Sequence, residues 1–276
     1  MADGPRSASA LRLEWQDIVW EDPDGGEVHL HGVLPTVTYP DRLRPRRNWH
    51  GLALMVSEDE IGLWEHEEQL ERESPGINRD EALIQGGDFS RLIQGISSLE
   101  GISAGRFPDP EPRRLQRMAE RRGSPLYFAE PSLLDEDWTE WHERRAVEIT
   151  RPFALLSRLW SGRRFQTKLR TVIGLVEPPE HCAQEFAPAA AVAAAWWLAE
   201  EHTLSPELMQ ERDTRLAGRL RGALADLRRR QGAPWVLLAV CHQAQRGSLL
   251  YALEAIPDAE VPLCTQDASE GSEESE

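Results

Sequence analysis

SPELMQERDTRLAGRLRGALADLRRRQGAPWVLLAVCHQAQRGSLLYALE, residues 205–254, reads as a long amphipathic helix, a glycine stop and an all-apolar strand ending in His242. Ser205 stands where an N-cap accepts an amide, and Pro206 where the first helical residue needs no donor. Met209, Leu216, Leu220, Ala223, Leu224 and Leu227 then fall on one face, and Gly232 closes the helix. The run WVLLAVC at 235–241 shows no alternation, which in a short segment after a helix means a strand covered on both faces, as in a parallel sheet. Open α/β sheets bind ligands beyond the carboxyl ends of such strands, and His242 occupies that end.

Working outward, the same grammar recurs. EVHLHGVLP alternates Val28 and Leu30 with His29 and His31 before Gly32, the period of a half-buried strand, and LALMV at 52–56 is a second apolar run. The acid-dense stretch 57–81 carries only Arg72 and Arg79 as bases and is expected as an exposed helix or loop. EPRRLQRMAERRG sets Leu115, Met118 and Ala119 on one helical face, stops at Gly123, and passes through Pro125 into the apolar Leu126, Tyr127 and Phe128. Trp138 and Trp141 are helical neighbours, further helices are expected over 153–160 and 165–176, and the alanine-rich 188–202 reads as a buried helix. Helices between apolar runs predict an α/β fold: a mixed or parallel central sheet flanked by helices, with a helical central region over 133–202. The alternative is that this centre is a separate helical insertion. Residues 11–257 are expected to form one domain between a polar tail, 1–10, and an acidic tail, 258–276.

Composition narrows the function. The chain has 276 residues and a net charge of −16, and the acids concentrate at its two ends. That field opposes nucleic-acid binding, which needs a basic footprint. The arginine clusters at Arg44, Arg46 and Arg47 and at Arg228, Arg229 and Arg230 read as solvated faces. No apolar run is long enough for a membrane span, and MADGPRSASA lacks an apolar signal core, so no membrane partner and a cytoplasmic location are expected. Cys182, Cys241 and Cys264 are too few and too scattered for a disulfide framework or a zinc knuckle.

The residues that carry chemistry are few. His29 and His31 leave the same face of a strand and can hold a metal ion between them. If the first and last strands are neighbours, His29, His31 and His242 converge on a divalent metal, and Glu211, within the polar run Glu211, Arg212 and Asp213, completes the site or serves as base for a bound water. Cys241 cannot pair with His242 as nucleophile and base, because adjacent strand residues point to opposite faces. Phosphate-loop, dinucleotide, nucleophile-elbow and zincin motifs are absent from the sequence. Trp196, Trp197 and Trp235 fall in core elements, whereas Trp15, Trp20, Trp49 and Trp64 lie among polar residues and are expected to form a surface for a protein partner.

PELMQERDTRLAGRL at 206–220 is similar to the Pro-x-Leu, Glu-Arg-Asp/Asn helix of the TraB and Tiki-like superfamily, which takes in pheromone-shutdown, erythromycin-esterase-like and haem-uptake ChaN-like proteins. VLLAVCHQAQRGSLLYAL at 236–253 resembles its strand ending in Gly-x-x-His, and VHLHGVLP at 28–35 resembles its first strand, which ends in a second such motif. RRGSPLYFAEPSLLD at 121–135 loosely resembles the middle. The resemblance assigns Glu211, Arg212, Asp213 and His242 to the family's polar positions and implies metal-assisted, peptidase- or esterase-like hydrolysis. The chain departs from it at Pro35, in the first histidine position, and at Ala239, in the second glycine position; His31 or His29 stands one turn of strand earlier. The resemblance leaves two readings: a divergent hydrolase with a degenerate site, or a non-catalytic interaction protein on the same scaffold, docking through 57–81 and the four tryptophans. A haem or small-ligand binder using the histidines is a third.

Overall fold

The structure is a computed structural model that describes residues 11–46, 48–152, 160–230 and 232–265. The expected helix over 153–160, Arg47, the tail at 1–10 and the acidic residues from 266 onward fall wholly or mainly outside the described residues.

Five strands, β1 (Ile18–Glu21), β2 (Glu27–Val33), β3 (Gly51–Leu54), β4 (Leu126–Phe128) and β5 (Val236–His242), form one sheet in the order β1-β2-β5-β3-β4. β1 runs antiparallel to β2, and the other neighbours are parallel. The chain is therefore α/β with a mixed, mostly parallel sheet, and β5 lies between β2 and β3.

Nine helices accompany the sheet among the described residues: α1 (Asp59–Glu73), α2 (Ile77–Gln85), α3 (Gly87–Ser97), α4 (Pro110–Arg122), α5 (Glu136–Thr150), α6 (Ser161–Val172), α7 (Phe186–Glu201), α8 (Pro206–Arg230) and α9 (Arg246–Glu254). The continuous apolar run of β5 has its cause in two covered faces. Leu237, Ala239 and Cys241 pack with Val28, Leu30 and Ala53 beneath Leu216, Leu220 and Leu224 of α8 and Leu249 and Leu253 of α9. Leu238 and Val240 pack with Leu52, Leu54 and Phe128 against Trp64 of α1 and Leu115 and Ala119 of α4. At about 25 cal/mol per Å² of apolar surface, burial on both sides makes this strand the anchor of the fold.

A third cluster is helical. The alanines of α7 pack against Leu92 and Ile96 of α3 and Phe165 and Val172 of α6, together with Leu34, Val37 and Tyr39 from the turn after β2. Small side chains let the helices approach closely: a Cβ on Gly95 of α3 would lie 2.9 Å from Val192 of α7. No helix among the described residues is long and apolar enough to cross a membrane.

Residues 258–265 differ from the expected tail. The Glu260 amide donates to the Gly218 carbonyl at 3.0 Å, the Phe128 amide donates to Leu263 O at 3.1 Å, and Cys264 forms an antiparallel bridge to Tyr127. Cβ atoms on Gly218 and Gly222 would collide with the carbonyl oxygens of Asp258 and Glu260, so two glycines one turn apart on α8 make the groove this segment fills.

The tryptophan surface is also corrected. Trp20, Trp49 and Trp64 are buried, and Trp15 packs edge-to-face on Tyr39 and Phe186. Polar neighbours in sequence concealed them: Trp20 and Trp64 lie on the inward faces of β1 and α1, and Trp15 and Trp49 turn inward from loop segments.

Candidate functional site

β2 and β5 are neighbours, and their register pairs His31 with Val240 and Val33 with His242. His31 and His242 therefore leave the same face of the sheet, two positions apart along the strands. Their rings nevertheless go to different partners. His31 is buried, with Nδ1 2.7 Å from Asp17 Oδ1 and its ring edge-on to Tyr39. His29 places Nε2 2.7 Å from Glu27 Oε2. His242 turns to α7, where it stacks on Trp197 with centroids 4.9 Å apart and meets Trp196 edge-on at 5.6 Å.

Among the described residues, no group of three or more His, Cys, Asp or Glu side chains is arranged to hold a metal ion. The expected convergence of His29, His31 and His242 on a divalent metal is thus not formed. Side-by-side strands are insufficient for it, because a carboxylate claims each of the first two rings and two indoles claim the third.

His242 has a definite protonation state. Its Nδ1 accepts the Ala244 amide at 3.1 Å and caps the 3-10 turn Gln243–Gln245, so Nε2 carries the hydrogen. Burial, followed by the nearby Arg246 guanidinium, pushes its pKa down to about 3, and the ring is neutral at physiological pH. That Nε2–H is buried without a protein acceptor. Cys241, on the opposite face, is pushed up to about 12 by burial and is no nucleophile.

The polar run on α8 disperses as successive helical residues must. Glu211 is exposed and pairs with Arg144 of α5, away from His242's partners. Asp213 is buried against Arg212, whose Nε donates to it at 2.9 Å. Arg212 also reaches Glu201 at 2.6 Å and lies 5.3 Å over the Trp197 ring. Burial works against its charge, but Asp213 and Glu201 outweigh burial and keep it protonated. Of the four expected catalytic residues, Arg212 and Asp213 meet directly, Arg212 and His242 meet only through Trp197, and Glu211 stands apart.

The residue that sequence reasoning missed is Glu130, just beyond β4. Burial and then Glu60 raise its pKa to about 7, while Arg212 and Arg145 act the other way. Glu60, in the first turn of α1 after β3, is itself raised by burial and Asp59. Raised carboxyls continue along the strand ends: Glu67 is pushed up to about 7 by burial, Asp109 and Glu60, and Asp109 to about 6 by burial, although it accepts the Thr36 amide at 2.6 Å. Thr36, after β2, has a φ of +59°, an unusual conformation for a β-branched residue. Trp196 Nε1 and Arg145 Nε, like His242 Nε2, are buried without a hydrogen-bond partner. The rule that singled out His242, a polar residue directly after a buried strand, applies equally to Glu130 at the end of LYFA.

Beyond the carboxyl end of β4 the protein thus carries a proton-holding carboxyl, Glu130, within the field of Arg212 and Arg145, and at the end of β5 unpartnered donors on His242 and, against it, Trp196. Such a set can move a proton and stabilise a developing negative charge. No protein-family model matches the chain, and no curated protein matches it in sequence.

Proposed function

We propose that the chain is a divergent TraB/Tiki-like protein that hydrolyses a small ester- or peptide-like substrate at the carboxyl edge of its sheet, using carboxyl acid–base chemistry. The imidazoles are held by Asp17, Glu27 and the two indoles and do not suit a resident metal ion. The observation carrying the reading is Glu130: a carboxyl with pKa about 7 at the end of a parallel strand, faced by Arg212 and Arg145. In its ionised form it takes a proton from water while the water oxygen bonds to the substrate carbonyl carbon. The Nε2–H of His242 and Nε1–H of Trp196 supply donors for the oxyanion, because neither is spent on the protein. As the scissile bond breaks, Glu130 returns the proton to the leaving group and the oxyanion collapses to the acid.

The test is turnover of a panel of p-nitrophenyl esters and peptide p-nitroanilides by the purified chain, with Glu130→Gln and His242→Ala beside it. The expected result is a rate rising through about pH 7, a loss of roughly 10²–10⁴-fold in Glu130→Gln and a smaller loss in His242→Ala. Undiminished activity in Glu130→Gln, or no turnover of any substrate, overturns the reading.

One observation favours the non-catalytic alternative in a reduced form. Acidic α1 and α2 leave Leu63, Ile77, Leu83 and Ile84 exposed among their charges, a mixed surface suited to a protein partner now that the tryptophans are excluded from it. Absence of turnover together with a partner lost on Leu63→Ser and Ile84→Ser would select this reading instead.

A further inference from the structure

A cleft of about 1050 Å³ opens elsewhere, between the N-terminal segment, the loop around 42–49 and the segment 175–181, with His29 and Leu238 in its lining. None of the carboxyl-edge residues lines it, so the cleft is independent of the hydrolytic site. Its volume is at the upper end for a small-molecule site.

Some of the charges around this cleft are spent and some are not: Asp17 is bound to His31 and Glu14 lies 3.9 Å from Arg12. Arg44 is tied to Asp41 and Glu111. Arg42 and Arg46, on the same loop, make no ion pair with any described residue, and neither do Glu177 and Glu180 on the other segment. Opposite charges lining one cavity would ordinarily close on each other; here two cations and two anions stay apart. Between them the lining is mixed: Leu13, Leu43 and Leu238 reach it but are nearly buried, and Gln16, His29 and Asn48 supply polar surface. Trp49 also lines the cleft, is only 3% exposed, and has a buried Nε1–H without a partner. The Glu177 backbone is fixed by a 2.7 Å hydrogen bond from Trp15 Nε1, so the acidic segment is held in place.

We infer that this cleft binds a short unblocked peptide by its two ends, the terminal carboxylate on Arg42 and Arg46 and the terminal ammonium on Glu177 and Glu180. A zwitterion matches both charged segments at once. A simple anion would meet the glutamates, and a simple cation the arginines.

The test is calorimetric titration of the full chain with trileucine, N-acetyl-trileucine and trileucine amide. Trileucine should bind, and blocking either end should weaken it by about tenfold. Arg42→Ala with Arg46→Ala should abolish the penalty for amidation but keep that for acetylation; Glu177→Gln with Glu180→Gln should do the reverse. These are surface substitutions, so both variants should keep the wild-type melting curve, which verifies folding. No binding of trileucine, equal binding of the blocked peptides, unchanged penalties in the variants, or displacement of trileucine by acetate or phosphate at equal concentration would each overturn the assignment.

Discussion

His242 and Asp109 pull the pH dependence of stability in opposite directions. His242 has an ordinary pKa of 6.5 when unfolded and about 3 in the fold, so its contribution is complete above pH 6.5 and is lost as pH falls toward 3. Within that window it removes up to about 1.4 kcal/mol per pH unit. His242→Gln should therefore flatten the acid limb of a denaturation series between pH 6 and pH 4, and an unchanged limb would disprove the buried neutral ring. For Asp109 the ordinary value is 3.8 and the folded value about 6, so the folded state holds the extra proton and stability declines as pH rises between them. Asp109→Asn keeps an oxygen for the Thr36 amide. It should gain on the order of 1–2 kcal/mol over wild type at pH 8 and nothing at pH 3.5. At this scale the sequence was legible where a rule about strand ends applied, which is why His242 stood out. Glu130 obeys the same rule, but its strand is only LYF, too short to announce itself. The destination of the His31 ring was not legible, because Asp17 reaches it from another segment by packing; Glu27, two residues before His29 on the same face of β2, was within reach of the spacing rule.

α8 shows what periodicity reveals in an element and what it hides. The positions Leu216, Leu220, Ala223, Leu224 and Leu227 are all buried against the sheet, as a 3.6-residue period requires. Its other face is not simply solvated. Arg219 donates to the carbonyls of Ala129 and Phe128 and to Glu260, and Gly218 and Gly222 receive the backbone of 258–260. Acidic composition pointed to a tail there, since the attachment uses backbone groups and glycine notches that composition does not register. The consequence is a substitution with opposed effects. Gly222→Ala raises helix propensity by about 1 kcal/mol, yet its methyl must displace the Glu260 carbonyl. The displacement should win, with a net loss of about 1–2 kcal/mol in urea denaturation and faster hydrogen exchange at the Phe128 amide, which donates to Leu263. A stabilised variant with unchanged exchange would mean that the C-terminal segment is not seated in the groove.

Across the whole molecule, the two ends of the described chain are held by arginines from the segment that decides the fold. Arg219 and Arg215 hold the C-terminal segment through Glu260. Arg246, buried at the start of α9, donates to the carbonyls of Gln16 and Arg12 at 2.7 and 2.8 Å and to that of Glu14, while Gln243 Nε2 donates to Leu13 O at 2.9 Å. Gly32 is required for this clamp, because a Cβ there would lie 2.7 Å from Arg246 Nε. The clamped N-terminal segment covers Tyr39 with Trp15 and forms a wall of the peptide cleft, but contributes nothing to the carboxyl-edge cluster. Arg246→Met fills the space without a charge and leaves at least two carbonyls unsatisfied, at about 1–3 kcal/mol each. The loss should fall on the segment before it reaches the sheet. Trp15 fluorescence should shift red at a lower urea concentration than the far-ultraviolet transition, trileucine binding should weaken, and ester hydrolysis through Glu130 should persist below the midpoint. A single shared transition for all three would mean that segment and sheet unfold as one unit, and that the two sites cannot be separated by loosening the clamp.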